Sequence, residues 1–546
     1  MSISKTANKT IGKVVNLVTS SVSQTSTKKN KQKYDKIEGL DALCRQAAAE
    51  SFVLLKNDGD ILPLSEENTV SVFGRVQYDT FFVGYGSGGD VNAHYKVNMI
   101  DGIRANGKIK LNEELAEVYR KWVKQNPADD GYWGHWPMCH DEMHVNEALA
   151  KRAALRSDTA VIFIGRAAGE DRENKLTEGS FYLTEEEENM LWCVRKYFAR
   201  TAVILNVGNI IDFSWVEKYN IPCVGICWQG GMETGNAVAD ILSGEMSPCG
   251  CLTDTIAKRY ELYPTADNFG GKTKNRYEED IYVGYRYFET FQPDAVLFPF
   301  GHGLSYTSFD IAAEDFAHTE DCVSFTLTVK NTGGAAAKAV PQIYFSAENT
   351  VLPVPALRLA DFGKTGLLAP GEEEKLSFRI SKETLACFDD AGITGCHNAW
   401  VLPGGKYRFY AGFSIRDVRE IGAFAQETTL LRQVKEAGAP RKEENLLRLR
   451  PMQMKEGMYR TYEPAPAAQT LLREDILTSL PPTLPLNEDR STSLFDVTEG
   501  KISLDDFVAT LTDAELEAIS RGDYVMNSPL GPTGNAGVFG GGLESL

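Results

Sequence analysis

From residue 35 to residue 264, short apolar runs alternate with stretches whose apolar residues recur at helical spacing. "IEGLDALCRQAAAESFVLLKND" predicts a helix running into a strand, and "TVSVFGRV" a buried strand with Gly74 near its end. "NEALAKRAALRSD" predicts a helix and "TAVIFIGR" the strand after it. In "LTEEEENMLWCVRKYF", Thr184 and Glu187 have the spacing of a capping box that opens a helix. "TAVILNVGN" and "IPCVGICWQGG" predict two more strands, and "METGNAVADILSG" a helix ending at Gly244. Strands flanked by helices at this spacing predict an α/β layered domain with a mostly parallel sheet.

The pattern then changes. An aromatic-rich bridge runs from Arg276 to Phe309. From about 312 to 450, short alternating segments such as "CVSFTLTVKNTG" and "GGKYRFYAGFS" are separated by Gly, Pro and Asn turns. They predict an antiparallel β-sandwich. After Pro451 the sequence reads as a Pro-rich connector, then as helices starting near Ser503/Asp506 and Thr512/Glu515. The expected organisation is a basic leader over 1–34, an α/β domain over 35–310 and a sandwich over 311–450. A connector with helices over 451–520 and a glycine-rich stretch over 521–546 follow. With 546 residues, more than one domain is expected.

Charge and cysteine content narrow the function classes. A net charge of −18 argues against a general nucleic-acid binder, which needs a basic surface. No run of about 18 apolar residues predicts a membrane span. The ten cysteines lack CxxC spacing, and Cys249 and Cys251 are too close for a zinc knuckle. Cys223 and Cys227 fall on a buried strand, as core thiols of a reducing compartment do. The leader lacks the apolar core of a secretory signal, so a cytoplasmic location is expected. Nothing in the sequence calls for a metal or a cofactor.

In a parallel sheet the loops at the strands' carboxyl ends carry the chemistry. Two such loops stand out. One is "GRVQYDTFFVGYGSGGDV", whose Gly84, Gly86, Gly88 and Gly89 would let backbone approach a ligand; it has neither the dinucleotide nor the P-loop pattern. The other is "GRAAGEDREN", where Glu170 is the candidate proton-transferring carboxylate, with Asp171, Arg172 and Lys175 able to tune or orient it. Burial of Glu170 over a cleft would raise its pKa toward working pH. A solvated charged loop explains the same residues equally well. Glu233 and Asp212 are also strand-end carboxylates, the former suited to anchoring a loop or helix start, and Asp240 reads as structural. His140 and His144 have helical i,i+4 spacing, but His-Asp-Glu-Met-His is not the zincin order. With His135, Trp133 and Trp136 they read better as a polar inter-domain surface.

Long ordered stretches carry a family resemblance: "ESFVLLKNDGDILPL", "GRAAGEDRENKLTEGSFYLTEEEENML", "ILNVGNIIDFSWV", "WQGGMETGNAVADILSGEMSPCGCLTDTI", "YVGYRYFETF" and "PFGHGLSYTSF". Over roughly residues 40–430 the chain resembles the β-glucosidases of glycoside hydrolase family 3, in the variant with reversed domain order. The resemblance implies an α/β sandwich domain and a fibronectin-III-like domain, with a TIM-like barrel after them. The last stretch, 521–546, resembles only the entrance to that barrel. The family's acid/base glutamate lies on a "GEGxDR"-type loop, which places it at Glu170, although "GEDREN" lacks the second glycine. The family's nucleophile is an aspartate on a barrel strand, and no residue here is matched to it. The resemblance therefore implies retaining hydrolysis of terminal β-D-glucosides, with this chain supplying the acid/base half and inactive without a barrel. The expected partners are a β-glucoside or oligosaccharide and a barrel-bearing chain or a second copy, with no nucleic acid or membrane. A non-catalytic carbohydrate-binding or structural module, a β-xylosidase and another family 3 glycosidase remain alternatives.

Overall fold

The computed structural model describes residues 37–85, 93–129, 131, 136–170, 173–434, 440, 444–454, 457–467, 473–478 and 480–516. The expected leader over 1–34 and the stretch 521–546 lie outside them. The described residues fall into two compact units, one spanning 37–129 and 136–467, the other residue 131 and 473–516.

The apolar runs of the larger unit's first half become one six-stranded sheet. In chain order its strands are β1 (Val53–Asn57), β2 (Thr69–Phe73), β3 (Lys110–Leu111), β4 (Thr159–Arg166), β5 (Arg200–Val207) and β6 (Cys223–Ile226). Their order across the sheet is β1-β6-β5-β4-β2-β3, parallel throughout except for β1 on β6. The helices are α1 (Leu40–Glu50), α2 (Met99–Asn106), α3 (Glu113–Gln125), α4 (Glu147–Ala154), α5 (Glu185–Tyr197), α6 (Ser214–Lys218) and α7 (Thr234–Ser243). Strand residues alternate between two cores. Ala160, Ile162 and Ile164 of β4 pack with Leu115, Tyr119, Met190 and Val194, whereas Val161 and Phe163 pack with Met99, Ile103, Val238 and Ile241. Helices thus cover both faces, which is why these strands read as unbroken apolar runs.

Local signals set the helix ends. Thr184 and Glu187 form the reciprocal capping box at the start of α5, and Gly244 takes the left-handed conformation that ends α7 (φ 77°). Beyond a two-stranded pair, β7 (Ile256–Ala257) with β8 (Val296–Phe298), and helix α8 (Tyr285–Phe291), the sandwich begins. One of its sheets joins β9 (Phe309–His318), β10 (Cys322–Asn331) and β13 (Glu373–Ser381). The other joins β11 (Gln342–Glu348), β12 (Arg358–Phe362), β16 (Gly405–Ser414) and β17 (Asp417–Gln426). Val323, Leu327, Phe345, Phe409 and Phe424 fill the space between them. A smaller sheet of β14 (Cys387–Asp389), β15 (Ala399–Leu402) and β18 (Thr429–Gln433) completes this half.

The residues after Pro451, expected as connector, begin instead inside an antiparallel hairpin of β19 (Leu447–Met454) and β20 (Gly457–Pro464). Its determinants are remote in sequence. Leu449 is buried among Tyr282, Tyr287 and Phe288, Arg450 pairs with Asp280 at 2.5 Å, and Arg448 pairs with Asp390. In the smaller unit, short helices α10 (Leu494–Thr498) and α11 (Leu504–Val508) follow α9 (Arg473–Thr478). Ser503 caps α11 through the Asp506 N–H, and Thr512 and Glu515 exchange hydrogen bonds at the next helix start.

The two halves of the larger unit are joined by specific polar contacts. Gln342, buried in β11, donates to the carbonyls of Gly301, before the sandwich, and of Phe413, within it, at 3.0 Å each. Glu50, at the end of α1, pairs with Lys338 at 2.5 Å and with Lys364 from the sandwich. Burial alone would raise its pKa, but hydrogen bonds from Lys338, Lys364 and Gln46 outweigh it and bring the carboxyl down to about 2. A folded pKa below the unfolded one adds stability that is complete above 4.5 and is lost as the pH falls toward 2. In thermal melts across that window, Glu50→Gln is expected to flatten the acid-side decline; an unchanged decline would show that the clamp contributes nothing.

Candidate active site

Because β2, β4, β5 and β6 are mutually parallel, their carboxyl ends share one edge of the sheet. The chain leaves β2 toward β3 on one side and returns to β4 on the other, so the strand order reverses between β2 and β4. Such a switch point opens a crevice at the carboxyl edge. The loops flanking it are those containing Tyr85, after β2, and Glu170, after β4.

Backbone hydrogen bonds cross this crevice. The Tyr85 N–H donates to the Ala168 carbonyl at 2.7 Å, and the Glu170 N–H donates to the Tyr85 carbonyl at 3.1 Å. Tyr85 and Gly169 form a parallel bridge, and a Cβ on Gly169 would lie 2.3 Å from the Tyr85 carbonyl oxygen, so only glycine permits the approach. A third segment joins them, since the Ala167 N–H donates to the Met138 carbonyl at 2.7 Å. Trp136, two residues earlier, stacks on Tyr85 with centroids 5.2 Å apart and planes 8° from parallel. Asn206, fully buried at the end of β5, accepts from the Phe81 N–H at 2.8 Å and donates to the Phe81 carbonyl at 2.9 Å and the Trp228 carbonyl at 2.5 Å. One side chain thus ties the loops after β2 and β6 to the strand between them.

Arg166, the last residue of β4 and four residues before Glu170, belongs to a buried ion pair. Arg166, 0% exposed, makes two 2.7 Å bonds to the Glu187 carboxylate and donates to the carbonyls of Gly165, Ser180 and Tyr182. Burial lowers the guanidinium pKa, but Glu187 more than offsets this and keeps the group charged. Glu187 also accepts from the Thr184 N–H at 2.8 Å, so one carboxylate caps α5 and anchors both ends of the 167–184 loop. Glu142, in the irregular segment before α4, accepts 2.7 Å bonds from the N–H groups of Arg75 and Met143. Burial pushes its carboxyl up to about 8 against the lowering effect of those donors.

Glu170 stands at the tip of this assembly and is exposed, so its own loop does not supply the burial expected for a proton-transferring carboxyl. Asp171 and Arg172 lie outside the described residues. Lys175 is exposed; its N–H donates to the Ser180 hydroxyl at 2.9 Å, and its carbonyl accepts from the Thr177 and Phe181 N–H groups. Asn174 anchors this turn by donating to the Ile210 carbonyl at 2.6 Å.

The other candidates have structural partners. Asp212 accepts from the Ser214 hydroxyl and N–H at the start of α6. Glu233 accepts from the Tyr95 hydroxyl and from Asn236, and Asp240 holds Arg45 through bonds of 2.5 and 2.6 Å. His140 and His144 do not share a helix, for residues 136–146 are irregular. His140 stacks on Phe81 with centroids 4.8 Å apart, and His144 lies 2.8 Å from Glu186. Glu142, between them, is bound to the Arg75 and Met143 backbone, which holds the segment out of helical geometry. Of the residues placed on an inter-domain surface, Trp133 and His135 lie outside the described set, as do Gly86, Gly88 and Gly89. Arg166, Glu187, Glu142 and Asn206 were not anticipated as site residues. Asn206 left a local trace, a single amide inside the apolar run "AVILNV", and Glu187 was legible only as the capping partner of Thr184.

Residues 52–306 match the glycosyl hydrolase family 3 C-terminal domain, and residues 339–415 match the fibronectin type III-like domain. A β-glucosidase from Ruminococcus albus is 42% identical over 500 residues, which cover 91% of this chain and 52% of that protein. Butyrivibrio fibrisolvens β-glucosidase A is 33% identical over 540 residues, covering 87% and 64% respectively. Among solved structures, a β-glucosidase from Paenibacillus barengoltzii superposes with a TM-score of 0.84 at 43% identity, covering 90% of this chain and 55% of that one. Thermotoga neapolitana β-glucosidase 3B in complex with glucose gives a TM-score of 0.65 at 32% identity, with 71% and 54% covered. The fold and its sandwich are therefore those of enzymes that act on O-glycosyl bonds. The chain belongs to glycoside hydrolase family 3, and it spans about half the length of the curated relatives it matches. No barrel is present among the described residues.

Two outcomes follow from the polar scaffold. Arg166→Leu leaves Glu187 buried and unpaired and is expected to cost about 3–5 kcal/mol in denaturant unfolding; a loss within experimental error would mean that the loop is held otherwise. Glu142 has the opposite pH sense to Glu50. Its folded pKa is raised, so its stabilising contribution is complete below 4.5 and is lost as the pH rises toward 8. Glu142→Gln should remove that alkaline decline from the pH profile of the melting temperature.

Proposed function

We propose that this chain supplies the acid/base half of a retaining β-glucosidase site, with Glu170 as the proton-transferring carboxyl. The observation that carries this reading is the position of Glu170. It stands at the carboxyl edge of the sheet, on a loop pinned beside the switch point, inside a family 3 C-terminal domain. The β-glucosidase names of the relatives support a terminal β-D-glucoside, or an oligosaccharide ending in one, as substrate.

Retaining hydrolysis needs two carboxyl groups about 5–5.5 Å apart. Glu170 protonates the glycosidic oxygen as the bond to the anomeric carbon breaks, then takes a proton from the water that releases the sugar. The attacking carboxylate comes from a barrel, in this polypeptide's family context an aspartate. The exposure of Glu170 fits a group whose burial is completed by that second domain. The N–H bond to the Tyr85 carbonyl fixes its backbone, so the carboxyl swings from an anchored point. Asp171, Arg172 and Lys175 are the proposed tuning and substrate-contacting groups of the loop.

The test is hydrolysis of β-glucosides by this chain alone and by the chain joined to a family 3 barrel. The chain alone should be inactive or nearly so. In the joined protein, Glu170→Gln should lower kcat for cellobiose by about 10²–10⁴-fold. Nitrophenyl glucoside, whose leaving group needs little protonation, should suffer less in glycosyl transfer to the enzyme. Unchanged cellobiose turnover in Glu170→Gln would remove the assignment, and full turnover by the chain alone would remove the need for a barrel.

A further inference from the structure

Three segments, one of which carries Glu170, are bonded to one another in a closed ring. The loop after β2 meets the loop after β4 through Tyr85, which bonds to Ala168 and Glu170. The loop after β4 meets segment 136–146 through the Ala167 N–H and the Met138 carbonyl. That segment returns to the loop after β2 through Arg75. Glu142 accepts from the Arg75 N–H at 2.7 Å, and the Asp141 carbonyl accepts from the Arg75 guanidinium at 2.9 Å. His140 stacked on Phe81 adds a ring contact to this third side. The first two sides are bonds from backbone to backbone, whereas the polar part of the third depends on two side chains. Both are tied elsewhere as well. Arg75, 2% exposed, bonds to Asp79 at 2.6 Å and to the carbonyl of Asn126, which ends α3, at 2.7 Å. The other oxygen of Glu142 is held by the Met143 N–H.

A ring of three segments keeps its shape only while all three sides hold. Release of the Arg75–Glu142 side lets Met138 shift, and with it the Ala167 N–H that Met138 receives. Delivery of a proton tolerates little of this, since a misplacement of about 1 Å can cost about 10²-fold in rate. We propose that Arg75 and Glu142 are positioning residues for the reaction: acting through Met138 and Ala167, they set the point from which Glu170 delivers its proton. The proposal rests on the reading of Glu170 as proton donor. Its chemical consequence is selective. A sugar alkoxide is a poor leaving group and departs only when protonated, whereas a dinitrophenolate departs without a proton. Loss of position therefore penalises cellobiose and spares dinitrophenyl β-D-glucoside, while loss of folded protein penalises both equally.

Hydrogen exchange on the full chain reads the coupling directly. In Glu142→Ala the amides of 167–170 should exchange about tenfold faster, with those of β5 at the wild-type rate. Glu142→Gln, which keeps an acceptor for one of the two N–H groups, should fall between. Arg75→Lys serves if Glu142→Ala unfolds. In the barrel-joined protein, Glu142→Ala should lower kcat/KM for cellobiose by about 10²-fold, and for dinitrophenyl glucoside by no more than about twofold. Wild-type exchange over 167–170, or equal losses on both substrates, overturns the positioning role. The reading of Glu170 fails separately: equal effects of Glu170→Gln on the two substrates remove the proton donor, whatever the exchange rates show. A split between the substrates in Glu170→Gln, with none in Glu142→Ala, removes the positioning role alone.

Discussion

A parallel sheet that stops leaves its last backbone groups at the carboxyl edge without strand partners, and those groups must be satisfied. Here the two loops at the switch point satisfy each other. Tyr85 receives and donates across to Ala168 and Glu170, and the absence of a side chain on Gly169 is what lets the chains meet. Much of the site depends on that contact. It brings together loops that start on β2 and β4, sets the height of Glu170 above the sheet, and fixes the Tyr85 ring beside it.

Polar side chains in the interior extend the same role. Asn206 and the Arg166–Glu187 pair are placed where an apolar residue would pack with less desolvation cost. Each gains its place by making several directed bonds at once. Asn206 clamps Phe81 and Trp228 from two different loops, and Glu187 serves both a helix cap and the Arg166 fork. Their contribution is positional: they leave the loops few alternative arrangements. Hydrophobic burial between sheet and helices supplies the bulk of the stability beneath them.

The sandwich is joined to the α/β domain by contacts that are individually small but directional. Gln342 reaches back to Gly301, and Glu50 gathers two lysines from the sandwich. These contacts orient the module, whereas the catalytic candidates all sit on the α/β domain. The hairpin of β19 and β20 continues this pattern of long-range anchoring through Arg448, Leu449 and Arg450.

Several features were legible from local pattern. The strands "TAVIFIGR" and "TAVILNVGN", the capping box at Thr184 and Glu187, the stop at Gly244 and the sandwich's alternating runs all appear where the periodicities place them. These depend on residues within a few positions of one another, and burial on one or both faces writes them directly into the order of apolar residues. The likeness of "GEDREN" to a family loop singled out Glu170. The i,i+4 spacing of His140 and His144 corresponds to no helix, for residues 136–146 are irregular and Glu142 between the two bonds to the backbone of Arg75, more than sixty residues away. The hairpin beyond Pro451 was missed because its partners, Asp280 and Asp390, lie far upstream. The sequence by itself determined the elements, their caps and the two kinds of domain. Only the tertiary structure decided the crossing at Tyr85, the Tyr85–Trp136 stack and the buried fork of Arg166, because hydrogen bonds and ring contacts between remote segments leave no period in the chain.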